Sequence, residues 1–195
     1  MSAAGLILAA GESRRMGSPK ALLDYRGSTF LDALIGLFGA RCSPVIVVLG
    51  AAAEEIRAGV RLPAAFVFNP DYARGQITSM QCGLRAVPPE AEGVLFTLVD
   101  HPAVAPATID ALLTLSRRKP APLLRVPRYR GRRGHPVWIA RELIPEFLAL
   151  PDDGAARDVV RRHAGETVFL DLDDPGIVAD IDDPAAYRSL LGAQP

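Results

Sequence analysis

The chain is poor in cysteine, in histidine and in any excess of one charge, and each shortage removes a class of function. Its two cysteines, Cys42 and Cys82, lie far apart with no Cys or His beside them at metal-ligand spacing. That excludes a disulfide framework and a zinc site, and leaves both as expected small core residues. Lys and Arg number 22, as do Asp and Glu. No global field therefore draws the chain to nucleic acid or to an anionic membrane, and any basic site must be local. No run approaches the roughly 20 apolar residues of a membrane helix, and the opening MSAAGLILAAGESRR lacks the basic region of a signal peptide. A cytoplasmic location is the expectation. Internal repeats and Ser/Gly linkers are missing too, so the 195 residues read as one domain, 1–195, with a stretch of about 119–163 as a candidate lobe.

What is present is an alternation of apolar runs with stretches of helical period, the pattern of an α/β protein with a mostly parallel central sheet covered by helices. GLILAA (Gly5–Ala10), PVIVVLG, AAFVFN and GVLFTLVD (Gly93–Asp100) read as strands. The last is nearly all apolar and so must lie centrally. STFLDALIGLF reads as a helix with Ser28 as N-cap, because Phe30, Leu34 and Phe38 share a face with Leu31 and Ile35. Further helices are expected over AAAEEIRAGV, over SMQCGLRAV, near Pro106–Arg117 and on either side of LPDDGA. Strands are expected at PLLRV, PVWIA, TVFLDL and GIVADID, with PRYRGRRGH as a basic link.

The stretch LAAGESRRMGSPKALL, 8–23, looks like a phosphate loop. It is not a Walker A loop, since Gly11 and Gly17 are separated by five residues and Lys20 lies three beyond the second glycine. The dinucleotide pattern G-x-G-x-x-G is absent as well. What remains is a strand that opens into the small-residue turn Ala9-Ala10-Gly11, followed by Ser13, Arg14, Arg15 and Lys20. Small residues let backbone N–H groups come close to a ligand, and the three cations can neutralise a triphosphate.

This stretch resembles the L-x-x-G-x-S-x-R-M-G-x-x-K motif of nucleotidyltransferases built on the nucleotide-diphospho-sugar transferase fold. NPDYARGQITSMQCGL (Asn69–Leu84), LVDHPAV (Leu98–Val104), RGHPV (Arg133–Val137), GAARDVV (Gly154–Val160) and DIDDPAAY (Asp180–Tyr187) follow in the order of the molybdenum cofactor nucleotidyltransferases. The likeness is greatest to their cytidylyltransferase branch and spans nearly the entire chain. It implies a single Rossmann-like three-layer domain, and transfer of a nucleotide, CMP from CTP in the first place with GTP as the alternative donor, to the phosphate of molybdenum-loaded molybdopterin. Pyrophosphate is released, and a client molybdoenzyme stands downstream. The chain departs from the common pattern at His101, where glutamine is frequent, and at Asp183, where threonine is. The GQITS loop is also an uncommon version.

Such chemistry needs no nucleophilic side chain, because an ionised acceptor phosphate attacks the α-phosphorus directly and the protein aligns two anions and shields their charge. The shielding falls to Mg²⁺, Lys20 and one or both of Arg14 and Arg15. Asp100, at the carboxyl end of a central strand, is the first candidate Mg²⁺ ligand and matches the family's LVD aspartate, although an aspartate at a strand end also serves as a turn or cap residue. The second ligand is assigned by register to Asp182, with Asp180 close behind. In an extended segment both carboxylates point away from Ile181. Asp171, Asp173 and Asp174 are read as solvating a loop-rich terminus.

Leu8, Ala9, Ala10 and Gly11 are expected to meet the nucleotide through their backbone. Gly75, Thr78 and Ser79, before the helix containing Met80–Ala86, could offer free N–H groups to base or ribose, or simply cap that helix. Among the arginines, Arg125, Arg128 and Arg130 are read as a solvated face, whereas Arg132, Arg133 and His135 adjoin the family's acceptor-side G-H-P element. A packing role for His135 is the competing reading. His101 and His163 receive no role, and Trp138 and Tyr129 are read as packing residues. Two other functions fit the same residues: a sugar- or polyol-phosphate nucleotidyltransferase, and a non-catalytic nucleotide- or cofactor-binding chaperone. Intact Lys20, Asp100 and Asp182 weigh against the latter.

Overall fold

The computed structural model describes residues 2–114 and 121–192. In chain order it contains β1 (Ala3–Ala9), the two-residue strands β2 (Asp24–Tyr25) and β3 (Ser28–Thr29), α1 (Phe30–Gly39), β4 (Val45–Leu49), α2 (Ala53–Gly59), β5 (Ala65–Phe68), α3 (Gln76–Arg85), β6 (Gly93–Leu98) and α4 (Pro106–Thr114). There follow β7 (Leu124–Tyr129), β8 (Arg132–Arg133), β9 (Val137–Ala140), α5 (Ile144–Leu148), α6 (Ala156–Arg162), β10 (Thr167–Asp171) and α7 (Pro184–Gly192).

The sheet runs β10-β7-β9-β6-β1-β4-β5, with β8 paired to β7. β6, β1, β4 and β5 are mutually parallel, as are β10 and β7, and β9 lies antiparallel between β6 and β7. All seven residues of β1 are buried, because apolar layers cover both faces of the sheet. One layer holds Leu31, Leu34 and Phe38 of α1, Ile56 of α2 and Ile109 and Leu112 of α4. The other holds Met80 and Leu84 of α3, Phe147 of α5 and Val159 of α6. Helices approach β1 so closely that glycine is needed on both sides. A Cβ on Gly5 would stand 2.8 Å from the Phe38 ring, and one on Gly83 would press on the side chains of Leu6 and Val48.

Several expectations from the sequence are corrected. The N-cap of α1 is Thr29, not Ser28. Its hydroxyl accepts from Asp32 N, and the buried Asp32 carboxylate also takes the Arg61 and Leu62 N–H groups. GIVADID is no strand: Pro175–Val178 is a 3-10 turn and the rest has no ladder partners among the described residues. Asp174 does not solvate the terminus but is buried, accepting from Ala105 N, Thr108 Oγ1 and Gly176 N to clamp that turn to the start of α4. Arg125 is likewise not solvated. It is 1% exposed, donates to Leu112 O at 2.9 Å and lies over the Trp138 ring, since its β7 position faces the layer rather than water. The basic link is a hairpin between β7 and β8, turning at Arg130 and Gly131. Cys42 is buried, but Cys82 is only partly so.

The helix expected near Pro106–Arg117 is seen as far as Thr114, and residues 115–117 lie outside the described residues. Of the stretch 119–163, residues 119 and 120 also lie outside them. The rest supplies β7, β8, β9, α5 and α6 to the same sheet and apolar layers.

His163, at the end of α6, is held between Glu146 and Glu166, each at 2.7 Å, and the Glu166 hydrogen bond leads in raising its pKa above 6.5. A raised cationic group stabilises the fold fully below its unfolded pKa and loses that contribution as pH rises through the folded value. Thermal melts at a series of pH values should show this loss above pH 6.5 in the wild-type protein and its absence in His163→Gln. Parallel profiles for the two would contradict the clasp.

Candidate active site

Parallel strands expose their carboxyl ends along one edge, and in open α/β sheets ligands bind there. At this edge a cleft of about 340 Å³ opens between the loop after β1, the start of α3 and the residues after β6. The loop is shaped by Ser13, which has φ of 51°. Its carbonyl accepts from Met16 N and Gly17 N, and its hydroxyl accepts from Lys20 N at 3.1 Å. The chain thus folds back, buried Ala21 anchors the turn, and Lys20 is delivered to the cleft floor.

One end of the cleft is charged. Lys20 Nζ donates to Asp182 Oδ1 at 2.5 Å and stands 3.5 Å from Asp100 Oδ2, while Arg15 donates to Asp182 Oδ2 at 2.6 Å. The Lys20 and Asp100 side chains are 12% and 15% exposed, against 66% for Arg15. Arg14 turns outward to Glu12 at the cleft mouth. Ile181 N donates to Asp100 O, and the buried Ile181 side chain fixes Asp180 and Asp182 beside the end of β6. Burial pushes the Asp100 carboxyl above the usual carboxylate range despite the Lys20 charge. Burial, then repulsion from Asp100, does the same to Asp180. Asp182 is held low by its hydrogen bond from Lys20.

The other end is neutral. Leu8, Ala9, Ala10 and Gly11 line it together with Tyr72, Gln76 and Ser79. Asn69 fixes this wall by donating to the hydroxyls of Thr78 and Ser79, each at 2.9 Å. The Thr78 hydroxyl is further committed to Asp71 O and Gly75 O. The arrangement suits an anionic ligand with a neutral head: cations at one end, exposed backbone and amides at the other.

Leu8 to Gly11, Arg14, Arg15, Lys20, Ser79, Asp100 and Asp182 are therefore brought together, while Gly75 and His135 do not line the cleft. Gly75 precedes α3, which starts three residues earlier than the sequence suggested. His135 packs its ring on Phe96 and His101, with centroids 5.4 and 5.0 Å away, and burial pushes its pKa far down. Arg132 and Arg133 are exposed on β8, and Arg133 lies over Phe169. Tyr72 and Gln76 line the cleft without having been expected from the sequence, although their places just before and at the start of α3 could have flagged them. Nor was a role expected for His101, whose Nε2 is 3.6 Å from Asp100 Oδ1. Only its adjacency to Asp100 pointed to it.

Residues 5–168 match the model of the MobA-like NTP transferase domain. The chain belongs to this family. Among relatives of this MobA-like transferase, nicotine blue oxidoreductase of Paenarthrobacter nicotinovorans is 34% identical, over 96% of this chain and 95% of its own length. The molybdenum cofactor cytidylyltransferase of Escherichia coli K12 is 30% identical, over 92% of this chain and 90% of its own. The crystal structure of Rv0371c from Mycobacterium tuberculosis H37Rv in complex with manganese superposes with a TM-score of 0.81 at 32% identity, covering 100% of each chain. The resemblance to molybdenum cofactor nucleotidyltransferases seen in the sequence thus holds, as does the α/β fold with its mostly parallel sheet. Among the described residues, no helix is long and apolar enough to cross a membrane.

Proposed function

We propose that this MobA-like transferase moves CMP from CTP to the phosphate of a molybdopterin-type acceptor, releasing pyrophosphate, with the Lys20–Asp100 cleft as the reaction site. The observation that carries the reading is the two-ended cleft. Lys20 and Arg15 converge where a triphosphate needs neutralising, and the neutral strip from Leu8 to Gly11 lies where a base needs backbone partners.

A divalent cation suits the charged end. Among the described residues, Asp100 Oδ1 is buried without a hydrogen-bond partner, and the carboxylates of Asp100, Asp180 and Asp182 form the hard oxygen set that Mg²⁺ prefers. Asp100 would hold the ion, with Asp182, or Asp180 beside it, closing the site. Bound there, Mg²⁺ supplies charge neutralisation for the triphosphate and the departing pyrophosphate. The chain's own residues do the rest. Lys20 turns from Asp182 to the phosphate oxygens, Arg15 follows from the cleft mouth, and the turn at Ser13 keeps both cations on one side of the reacting phosphorus. Positioning of this kind is the main source of rate in phosphoryl chemistry. The Rv0371c–manganese complex supports a divalent cation, and the Escherichia coli relative supports the cytidylyl assignment. The Paenarthrobacter name supports a second reading, an oxidoreductase using the same cleft.

A screen of nucleoside triphosphates against phosphorylated acceptors, read as pyrophosphate release, separates these. CTP with a molybdopterin acceptor should give the fastest release. Release only with a sugar or polyol phosphate would move the acceptor assignment. Consumption of a reduced nicotinamide dinucleotide with no pyrophosphate would favour the redox reading.

The choice of base rests on Ala10, which lines the cleft and is 5% exposed. Its Cβ takes room beside the backbone that a glycine would leave free. Cytosine fits beside it, while guanine must shift out of line. One methyl discriminates by ~1–3 kcal/mol. CTP should therefore exceed GTP in kcat/KM, and Ala10→Gly should narrow the ratio by about tenfold without inverting it. Equal or better use of GTP by the unmodified protein would remove the cytidylyl assignment.

A further inference from the structure

Six buried side-chain polar atoms lack a hydrogen-bond partner among the described residues, and three of them, Asp100 Oδ1, His101 Nδ1 and His135 Nδ1, gather behind the charged end of the cleft. Buried polar groups are seldom left unpaired, and a cation bound beside Asp100 would give its Oδ1 the partner it lacks. His101 Nε2 faces Asp100 Oδ1 at 3.6 Å, too long for a hydrogen bond. Among the described residues Asp182 is paired with Lys20 and Arg15, whereas Asp180 makes no salt bridge, feels Asp182 and Lys20 only at a distance, and lies beside Asp100 and His101. One ligand atom from each of Asp100, His101 and Asp180 lies within 4.8 Å of the others. Donors around a single small dication, each at ~2.1 Å from it, stand roughly 3 to 4 Å apart, so the three side chains must draw inward by up to about 1 Å to share one ion.

We infer that Asp100, Asp180 and His101 form a mixed carboxylate–imidazole site that takes a first-row transition-metal dication in preference to Mg²⁺. The inference rests on the divalent-cation reading above and changes its ligand set and its metal. Mg²⁺ is served by oxygen and water, whereas imidazole nitrogen adds affinity for transition ions. His101 is the residue that makes this difference. The packing of His135 and Phe96 fixes the neighbourhood in which the His101 ring stands. Leaving Asp182 out of the ligand set lets it hold Lys20 and Arg15 until a triphosphate draws them away.

Mn²⁺ titrated into the full chain, followed by pulsed EPR, tests the assignment without reference to turnover. The wild-type spectrum should show nitrogen modulation from a directly bound imidazole, and Mg²⁺ should displace Mn²⁺ only at a concentration at least about tenfold higher. His101→Gln should abolish the modulation and weaken Mn²⁺ binding by about tenfold or more, with a much smaller change for Mg²⁺. The wild-type spectrum is decisive even where the variant folds poorly. Bound Mn²⁺ without nitrogen modulation would overturn the mixed site and leave the carboxylate cation site standing. Absence of any bound Mn²⁺ or Mg²⁺, with or without CTP, would overturn both.

Discussion

Asp100→Asn should lose nearly all nucleotidyl transfer, by about 10³-fold or more in kcat, while the protein remains folded. Asp100 is the largely buried carboxylate just beyond β6, with one oxygen free of hydrogen bonds among the described residues. Replacing it removes a full charge from the group best placed to hold the cation, and electrostatic stabilisation of this kind is worth ~3–4 kcal/mol per donor, or 10²–10³ in rate, before the loss of the ion is added. The fold has little reason to suffer. Burial raises the Asp100 pKa, so its charge costs the folded state stability as pH rises through that value, and a neutral amide is free of that cost. The melting temperature should stay the same or rise slightly. Turnover near the wild-type level with added divalent cation would remove Asp100 from the site.

Lys20→Ala should raise KM for the nucleotide and lower kcat, together costing about 10²–10³ in kcat/KM, as expected for a charge-assisted contact in a partly desolvated cleft. Its ammonium sits between Asp182 and Asp100 with only 12% of the side chain exposed. The Asp182 pKa is depressed chiefly by this lysine, so the pair contributes stability above the unfolded carboxylate pKa of about 3.8 and loses it as pH falls through the lower folded value. With Asp182 partly in solvent and Arg15 still beside it, the stability change at neutral pH should be small. Steady-state kinetics and a melt on the same sample separate the two effects. Wild-type KM and kcat would return Lys20 to an ordinary salt bridge.

The strands were legible because burial on both faces writes itself as unbroken apolar runs, as in GLILAA and GVLFTLVD. The charged end of the cleft was legible because Lys20, Asp100 and Asp182 belong to dense local motifs. Other features depend on partners distant in sequence. Arg125 reads as one more arginine in a basic run until β7 turns it toward Leu112 and Trp138. Asp174 reads as one more loop aspartate until the start of α4 presents it with two donors. GIVADID has the composition of a strand, but the Asp174–Gly176 hydrogen bond closes a turn first. In the site itself, a shift of three residues in the start of α3 hid Gln76. His101 drew no notice because its meaning comes from Asp180 and His135, which the fold brings from other segments.

The fate of phosphorus in the nucleotide tests the central claim most directly. CTP labelled at the α-phosphorus, incubated with the protein, a divalent cation and a molybdopterin acceptor, should pass its label to the acceptor, while label at the γ-phosphorus should leave as pyrophosphate. Label appearing as inorganic phosphate from the γ-position, or remaining wholly in CTP across the acceptor panel while a reduced nicotinamide is consumed, would contradict nucleotidyl transfer at the Lys20–Asp100 cleft.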